Sequence, residues 1–318
     1  MFKDSRIYVA GHTGLLGSAL MRKLKAGGYA NVVTRSHQEL DLTRQEPVET
    51  FFKKERPEYV FLCAGLTGGI LANKTYPAMF LQTNASIQTN LFDAVQRYET
   101  KHLIFYGSSC VYPKNSLQPM KEEYLLTGEI ESTSEAYAIA KTAGIIGCRS
   151  FNNQYRTNRF IALLPNSMYG PHDNFDTENS HVLSALIRKF HDARKADVAT
   201  LTLWGSGNPR REFIFCEDVA DASIFAMLNA SKLQNIHYNI GTGIDYSIRE
   251  LAEQVAEAIG YSGSIAWDTS KPDGTMRKLL DSSKFLSLGW KPQVSLDKGL
   301  KSTCEWYQAN ASDPSGCK

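Results

Sequence analysis

Short apolar runs alternate along the first half of the chain with longer segments whose apolar residues recur at helical spacing. The runs at 31–35, 59–63, 103–106 and 160–164 predict strands, as does the run that begins at 6, and the segments at 47–55, 80–98 and 137–155 predict helices. Strands separated by helices of this length pair in parallel through right-handed crossovers. The pattern therefore predicts an α/β fold built on a Rossmann-like, doubly wound parallel sheet.

The first predicted strand runs into three glycines and then into a helix. Gly11 permits a tight turn, Gly14 lets the backbone approach a pyrophosphate, and Gly17 lets the helix pack closely against the strand. The N-terminus of such a helix binds anions through its free N–H groups. The turn is therefore a predicted dinucleotide site, formed by Gly11, His12, Thr13, Gly14, Leu15, Leu16 and Gly17.

The residue at the end of the second predicted strand distinguishes NAD from NADP. An acidic residue at this position holds the free 2′-hydroxyl of the adenosine ribose, whereas a cation accommodates a 2′-phosphate. This chain carries Arg35 there. The sequence therefore predicts NADP(H) as the cofactor.

The regular alternation stops after 164 and returns later in the chain. Residues 165–175 are rich in polar residues and turn formers, and shorter elements follow at 182–193, 201–204 and 210–215. A helix beginning at 217 and a strand at 237–241 resume the alternating pattern, and further helices are predicted at 247–260, with Ser247 and Glu250 forming a capping box, and at 296–310. We expect an NADP(H)-binding domain at 1–165, completed by about 213–240, and a smaller, discontinuous α/β substrate domain at 166–212 and 241–318.

Composition narrows the choice of partners. The chain has 35 basic and 33 acidic residues, and a net charge of +2 gives no overall electrostatic argument for nucleic-acid binding. No apolar run is long enough to suggest a membrane span. The six cysteines contain no C-x-x-C pair, and no metal site is predicted. Scattered free thiols are typical of a reducing compartment, so we expect a cytoplasmic protein that binds a small-molecule substrate.

A tyrosine and a lysine four residues apart form the first candidate for chemistry. Tyr137 and Lys141 lie on one face of a predicted helix, where the ammonium is expected to lower the pKa of the phenol. Tyr137 is therefore a candidate general acid or base. The strand at 103–106 ends in Gly107 and Ser108, and the carboxyl ends of parallel strands are where α/β sheets place their sites.

The glycine turn, Ser108 and the Tyr137-x-x-x-Lys141 motif together resemble the extended short-chain dehydrogenase/reductase family over residues 1 to about 310. The resemblance implies a catalytic trio of Ser108, Tyr137 and Lys141, in which Lys141 also holds the nicotinamide ribose. It further implies a homodimer that pairs through the helices at 80–98 and 136–155.

Four segments, at 107–113, 169–175, 180–182 and 271–274, resemble the GDP-L-fucose synthases of this family. The Asp-Glu pair that 4,6-dehydratases carry after the serine is replaced by Ser109-Cys110. The resemblance implies a GDP-4-keto-6-deoxy-hexose that is epimerised at C3 and C5, with Cys110 as base and His181 as acid, and then reduced at C4 by NADPH. The implied cofactor contacts also include Ser109, Pro165, Asn166, Ser167, Met168 and His181, and the implied substrate contacts are Lys189, Trp204, Arg211 and Asp273.

Two departures from the GDP-L-fucose synthase pattern keep other functions open. Residues 165–168 read Pro-Asn-Ser-Met where these enzymes usually have Pro-Thr-Asn-Leu, and Thr13 replaces a frequent arginine. One alternative is a C4 reductase that acts on a GDP-4-keto-6-deoxy-heptose without epimerising it. Another is a catalytically inactive NADP(H)-sensing or scaffold protein on the same fold.

Overall fold

The computed structural model describes residues 1–177, 180–271 and 273–311. The strands in these ranges are β1 (Ile7–Ala10), β2 (Val32–Val33), β3 (Tyr59–Leu62), β4 (His102–Tyr106), β5 (Phe160–Pro165), β6 (Ser167–Tyr169), β7 (Thr200–Trp204), β8 (Arg210–Phe215), β9 (His237–Ile240), β10 (Asp245–Ser247), β11 (Ser264–Asp268) and β12 (Arg277–Lys278). The α-helices are α1 (Leu15–Ala26), α2 (Gln45–Glu55), α3 (Ile70–Thr75), α4 (Pro77–Arg97), α5 (Glu135–Tyr155), α6 (Val182–Lys195), α7 (Cys216–Leu228), α8 (Ile248–Ile259), α9 (Ser283–Leu286) and α10 (Leu296–Asn310).

The larger sheet has six parallel strands in the order β2-β1-β3-β4-β5-β9. From β1 the chain adds β2 on one side of the sheet and then β3, β4, β5 and β9 on the other. The strand order therefore reverses between β1 and β3, and doubly wound folds bind their ligands at such a point. This arrangement confirms the predicted fold class. It also brings the ends of β1, β4 and β5 to one edge.

Alternating side chains on the strands explain the three layers. Ile7 and Val9 of β1 lie in an apolar core shared with α1 and α7, whereas Tyr8 and Ala10 lie in a second core shared with α2, α4 and α5. The side chains of a strand alternate between the two faces of the sheet, so an uninterrupted apolar run is buried on both sides. The helices α4 and α5 also pack against each other.

A second, mixed sheet is centred on β8. Its neighbours are β10, which is antiparallel, and β12 and β6, which are parallel to different parts of β8. A separate pair, β7 and β11, lies outside both sheets. The helix α8 begins after Ser247, whose side chain forms the predicted capping box with Glu250.

The structure differs from the sequence predictions mainly where elements are short. The helix α1 begins at Leu15, so Gly17 lies inside the helix, and β2 is limited to Val32–Val33, so Arg35 lies beyond the strand. The elements α3, β6, β10, β11, β12 and α9 were not predicted. Two to six residues are too few to show a hydrophobic period, and only pairing with β8 makes most of these segments strands.

The described cysteines, at 63, 110, 148, 216 and 304, are free thiols; Cys317 lies outside the described residues. Among the residues that the structure describes, no helix has the length and apolar character needed to cross a membrane. Over the same ranges, no group of three or more His, Cys, Asp or Glu side chains is arranged to hold a metal ion.

The buried carboxylate of Glu212 joins the two sheets. One oxygen accepts hydrogen bonds from the N–H groups of Thr242 and Gly243, both at 2.7 Å, just after β9. The other accepts from the Asn166 side chain at 2.5 Å and from the N–H of Leu280 at 3.0 Å. Burial raises the pKa of this carboxyl above its usual value, although the four hydrogen-bond donors lower it. Glu212 thus fastens β8 to the ends of β5, β9 and β12.

We predict that Glu212→Gln destabilises the fold by about 2 to 4 kcal/mol, because the amide turns an NH₂ group toward two buried donors and each unsatisfied donor costs about 1 to 3 kcal/mol. Denaturant unfolding measures the change. Glu257→Gln, at an exposed position of α8, is the control and should unfold with the parent. Equal stability of the Glu212 variant would contradict this role.

Candidate active site

The glycine turn after β1 has the geometry of a dinucleotide site. Gly11 has φ +80°, and a Cβ there would lie 2.7 Å from the backbone nitrogen of Ala64. A Cβ on Gly17 would lie 2.0 Å from the carbonyl oxygen of Gly11, so only glycine fits at either position. Gly14 is the N-cap of α1 and brings no side chain to cover the first N–H groups. These groups are therefore free to meet a phosphate.

The side chains of this turn point in different directions. Leu16 is buried in the core and Leu15 packs partly against it, whereas Thr13 is exposed. The Nδ1 atom of His12 is buried without a hydrogen-bond partner among the described residues. An unsatisfied polar atom beside free helix N–H groups fits a polar ligand. The residues present therefore fit the predicted dinucleotide.

Arg35 lies just beyond β2 and is already paired. Its guanidinium donates to Glu55 Oε1 and to the carbonyl oxygen of Thr34, both at 2.7 Å, and lies 5.4 Å from the centre of the Phe51 ring. The sequence did not predict the partnership with Glu55, because α2 and β2 meet only in the folded chain. The contacts fix the cation beside the end of β2.

The loop after β4 and the helix α5 bring four predicted residues together. The Oγ atom of Ser108 accepts a hydrogen bond from the N–H of Cys110 at 3.5 Å, and its hydroxyl is also hydrogen-bonded to Tyr137. Lys141 donates to the carbonyl oxygen of Tyr106 at 3.0 Å, and its Nζ lies 5.7 Å from the centre of the Tyr137 ring. Ser109 forms a short 3-10 helix with Cys110 and Val111. The cluster unites a hydroxyl, a thiol, a phenol and an ammonium.

Burial decides the protonation of this cluster. It raises the pKa of Tyr137, so the prediction that Lys141 lowers this pKa is wrong. The ammonium bonds to a backbone carbonyl instead, and burial lowers the pKa of Lys141 to about 8. Burial also raises the pKa of the Cys110 thiol, while Ser108, Lys278 and Lys141 lower it. Near neutral pH, Tyr137 is therefore a neutral phenol that can donate a proton.

His181 lies at the N-terminus of α6, next to a carboxylate that the sequence gave no reason to single out. His181 is exposed, and the buried Asp173 interacts with it electrostatically. Asp173 accepts hydrogen bonds from the N–H of Asn174 at 2.8 Å and from the hydroxyl of Ser184, one turn into α6. No contact among the described residues joins His181 to Cys110. Only the fold reveals Asp173, because it precedes the histidine by eight positions and the two residues belong to no common sequence pattern.

The four predicted substrate contacts form one continuous surface. The Nζ atom of Lys189 lies 5.4 Å from the centre of the exposed Trp204 ring. Asp273 accepts hydrogen bonds from the N–H and the hydroxyl of Ser206, at 2.9 and 2.7 Å, and Ser206 is two residues after that tryptophan. Arg211 lies next to this segment. A Cβ placed on Gly274, the residue after Asp273, would be 3.3 Å from the Nη2 atom of Arg211. Neither Lys189 nor Arg211 has an acidic partner among the described residues.

Residues 165–168 connect β5 of the large sheet to the small sheet. Pro165 ends β5, and Ser167 and Met168 pair with β8. Asn166 is buried, and its side chain donates to Glu212 and accepts from the N–H of Ser167. This segment holds the large sheet against the small one.

Residues 7–241 match the model of a family described as "NAD dependent epimerase/dehydratase family". This chain belongs to the NAD dependent epimerase/dehydratase family. The match spans the glycine turn and every residue of the cluster around Tyr137, and it confirms the family resemblance that the sequence motifs predicted.

Within the NAD dependent epimerase/dehydratase family, the chain is similar to GDP-L-fucose synthases over nearly its full length. It is 51% identical to GDP-L-fucose synthase 1 of Arabidopsis thaliana, covering 97% of this chain and 94% of that protein. It is 46% identical to GDP-L-fucose synthase of Escherichia coli, covering 96% and 97%. The structure of a GDP-mannoheptose C4 reductase from Campylobacter jejuni with NADP bound matches with a TM-score of 0.89 and 42% identity, covering 97% and 99%.

We predict that Arg35→Gln weakens NADPH binding about 10- to 100-fold and leaves NADH binding unchanged, because a charge-assisted contact to the 2′-phosphate contributes about 1.5 to 3 kcal/mol. Titration calorimetry with each cofactor measures both affinities. Arg44→Gln, which changes an exposed arginine at the N-cap of α2, is the control. Equal weakening toward both cofactors would contradict recognition of the 2′-phosphate.

Proposed function

We propose that the chain is an NADPH-dependent enzyme that epimerises a GDP-4-keto-6-deoxy-hexose at C3 and C5 and then reduces it at C4. The cluster of Ser108, Cys110, Tyr137 and Lys141, at the same sheet edge as the glycine turn, carries this proposal. Relatives named GDP-L-fucose synthase, at 46 and 51% identity, support it.

The reduction uses the phenol as the proton donor. Bound NADPH supplies the hydride that is added to C4. The Tyr137 hydroxyl, which burial keeps protonated, donates its proton to the C4 oxygen. The Ser108 hydroxyl, bonded to Tyr137, orients that oxygen, and Lys141 is held beneath the tyrosine by the carbonyl of Tyr106.

The epimerisation uses a base and an acid on opposite sides of the sugar. The thiolate of Cys110 removes a proton from the carbon next to the ketone, and hydroxyl donors from Ser108 and Tyr137 stabilise the enolate oxygen. His181 returns a proton to the other face. The carboxyl group of Asp173, which is buried, lies close enough to His181 to interact with it electrostatically.

The surface formed by Lys189, Trp204, Arg211 and Asp273 suits the nucleotide part of the substrate. Lys189 and Arg211 offer positive charge that no described carboxylate neutralises, and a diphosphate needs such charge. The ring of Trp204 is 70% exposed and is therefore available to a flat or extended ligand. Together these features favour a GDP-sugar.

We assign cofactor binding and substrate binding to two domains with the predicted boundaries. The cofactor domain comprises 1–165, completed by about 213–240, and its extent is supported by β9 joining the large sheet and by α7 packing on α1. The substrate domain comprises 166–212 and 241–318. It contains β8 up to Glu212 and the segment around Asp273.

A second candidate function is C4 reduction of a GDP-4-keto-6-deoxy-heptose without epimerisation. The match to a GDP-mannoheptose C4 reductase, at 42% identity, favours it. An inactive sensor on this fold finds no support, because the residues of the predicted trio are present and in contact. Free thiols at the five described cysteines support a cytoplasmic location.

We predict that the parent enzyme, incubated in D₂O with substrate and NADP⁺, which cannot supply a hydride, incorporates deuterium at C3 and C5. Cys110→Ser should lose this labelling by at least 100-fold, because an alcohol is too weak an acid to give a base at neutral pH, yet still oxidise NADPH. Tyr137→Phe should show a large loss of NADPH oxidation while still binding the cofactor. NMR of the product and absorbance at 340 nm measure the two steps.

The result distinguishes the two candidate functions. A parent enzyme that reduces its best substrate without any deuterium at C3 or C5 is a C4 reductase, and epimerisation is then excluded. A panel of GDP-4-keto-6-deoxy-hexoses and heptoses, compared by kcat/KM, identifies the sugar.

We predict a homodimer formed through α4 and α5, which pack together and expose Met79, Leu81 and Ile139 at 55, 40 and 46%. Exposed apolar side chains on neighbouring helices favour association. Sedimentation at micromolar concentration should show a dimer, and Ile139→Glu should weaken it at least 10-fold. Leu228→Glu, at an exposed position of α7, is the control. A monomeric parent would contradict this interface.

A further inference from the structure

The strands β8 and β12 carry two cross-strand pairs of cations, of which only one pair is neutralised. Arg210 lies beside Arg277, and Arg211 lies beside Lys278. Consecutive residues of a strand point to opposite faces, and paired residues point to the same face. Arg210 and Arg277 both form ion pairs with Asp245. The pair of Arg211 and Lys278 has no carboxylate within ion-pair distance among the described residues.

Lys278 is half-buried, its strand position is fixed by its neighbours, and no described carboxylate neutralises its charge. The next two residues are fixed: Leu279 donates its N–H to the Gln118 side chain at 2.8 Å, and Leu280 donates to Glu212 at 3.0 Å. The lysine's ammonium makes no hydrogen bond to any described residue. Burial lowers its pKa, and the charges that act on it come from Cys110, Arg211 and Glu131. Lys278 is therefore a cation that interacts electrostatically with the Cys110 thiol and has no ion-pair partner among the described residues.

A hydrogen-bond path links the strand end that carries Lys278 to the turn that carries Cys110. The buried side chain of Asn239 accepts from the Tyr112 hydroxyl at 2.6 Å. Its amide donates to the carbonyl oxygens of Met120 and Asp281, at 3.0 and 3.1 Å. Tyr112 is two residues after Cys110, and Asp281 is three residues after Lys278. The contacts of Asn239 therefore tie the turn that carries Cys110 to the segment that follows Lys278.

We propose that Lys278 is a positioning residue whose ammonium stabilises the thiolate of Cys110 and so prepares it to act as a base. The proposal rests on the epimerisation described above, which requires a thiolate in a buried site. When the thiol ionises, its proton leaves to solvent and the thiolate faces the uncompensated ammonium. Arg211 remains available to the anionic part of the substrate.

Other groups also face Cys110 and must be separated from Lys278. They are Ser108, Tyr137 and Lys141. Ser108 is hydrogen-bonded to Cys110, and the pKa of Lys141, about 8, lies within the pH range of the alkylation experiment described below. All three remain in a Lys278 variant. A comparison of variants therefore isolates the contribution of Lys278.

The test is the pH dependence of Cys110 alkylation by iodoacetamide in the ligand-free protein, followed by mass spectrometry of the peptide that contains Cys110. Only the thiolate reacts, so the midpoint reports its ionisation. Lys278→Met should move the midpoint upward by about one pH unit or more, as expected for loss of an opposite charge nearby. Lys278→Arg should restore it. Arg277→Met, which removes the adjacent cation on the opposite face, should leave it unchanged.

Deuterium labelling at C3 and C5 gives a second readout. At a pH below the midpoint, Lys278→Met should lower the labelling rate about tenfold, and raising the pH by one unit should recover it. An unchanged alkylation midpoint in Lys278→Met overturns the proposal whatever the enzyme's activity. A shifted midpoint in an enzyme that never labels its substrate supports the thiolate interaction and overturns the epimerisation instead.

Discussion

The hydrogen bonds that the buried Glu212 side chain accepts are the interaction on which the rest of the structure depends. A charge with no solvent exposure is costly to bury, and the cost is offset only because four donors converge on it from the ends of β5, β9 and β12. The same contacts fix β8, and Arg211 is the neighbouring residue of that strand. The edge of the cofactor sheet and the substrate surface therefore have a fixed relation to each other through one side chain.

Strand alternation then distributes charge between two faces. Asp245 neutralises Arg210 and Arg277 on one face, whereas Arg211 and Lys278 on the other face have no described carboxylate partner. A net charge of +2 for the whole chain does not reveal this local excess. An anionic substrate and a thiolate both need positive charge that is held in place and not already paired. The small sheet supplies this unpaired positive charge through Arg211 of β8 and Lys278 of β12.

Burial gives each reactive group a different protonation state. It keeps Tyr137 a neutral acid, lowers the pKa of Lys141 to about 8, and leaves the Cys110 thiol dependent on nearby cations. His181 is exposed at a helix N-terminus and has a buried carboxylate for a neighbour. Groups whose environments differ in this way suit the separate roles that the proposed reduction and epimerisation require.

The sequence by itself determined the parallel sheet, the glycine turn and the family, because apolar periods and the Gly11, Gly14 and Gly17 spacing depend on neighbouring residues. It also predicted Ser108, Cys110, Tyr137 and Lys141, which the fold brings into one cluster. Only the tertiary structure decided what these groups contact. Burial reversed the expected direction for the pKa of Tyr137, and Arg35 acquired Glu55 as a partner. Glu212, Asp173 and Lys278 were not singled out, because their environments come from segments distant in the chain, and a pattern of neighbouring residues carries no information about such contacts.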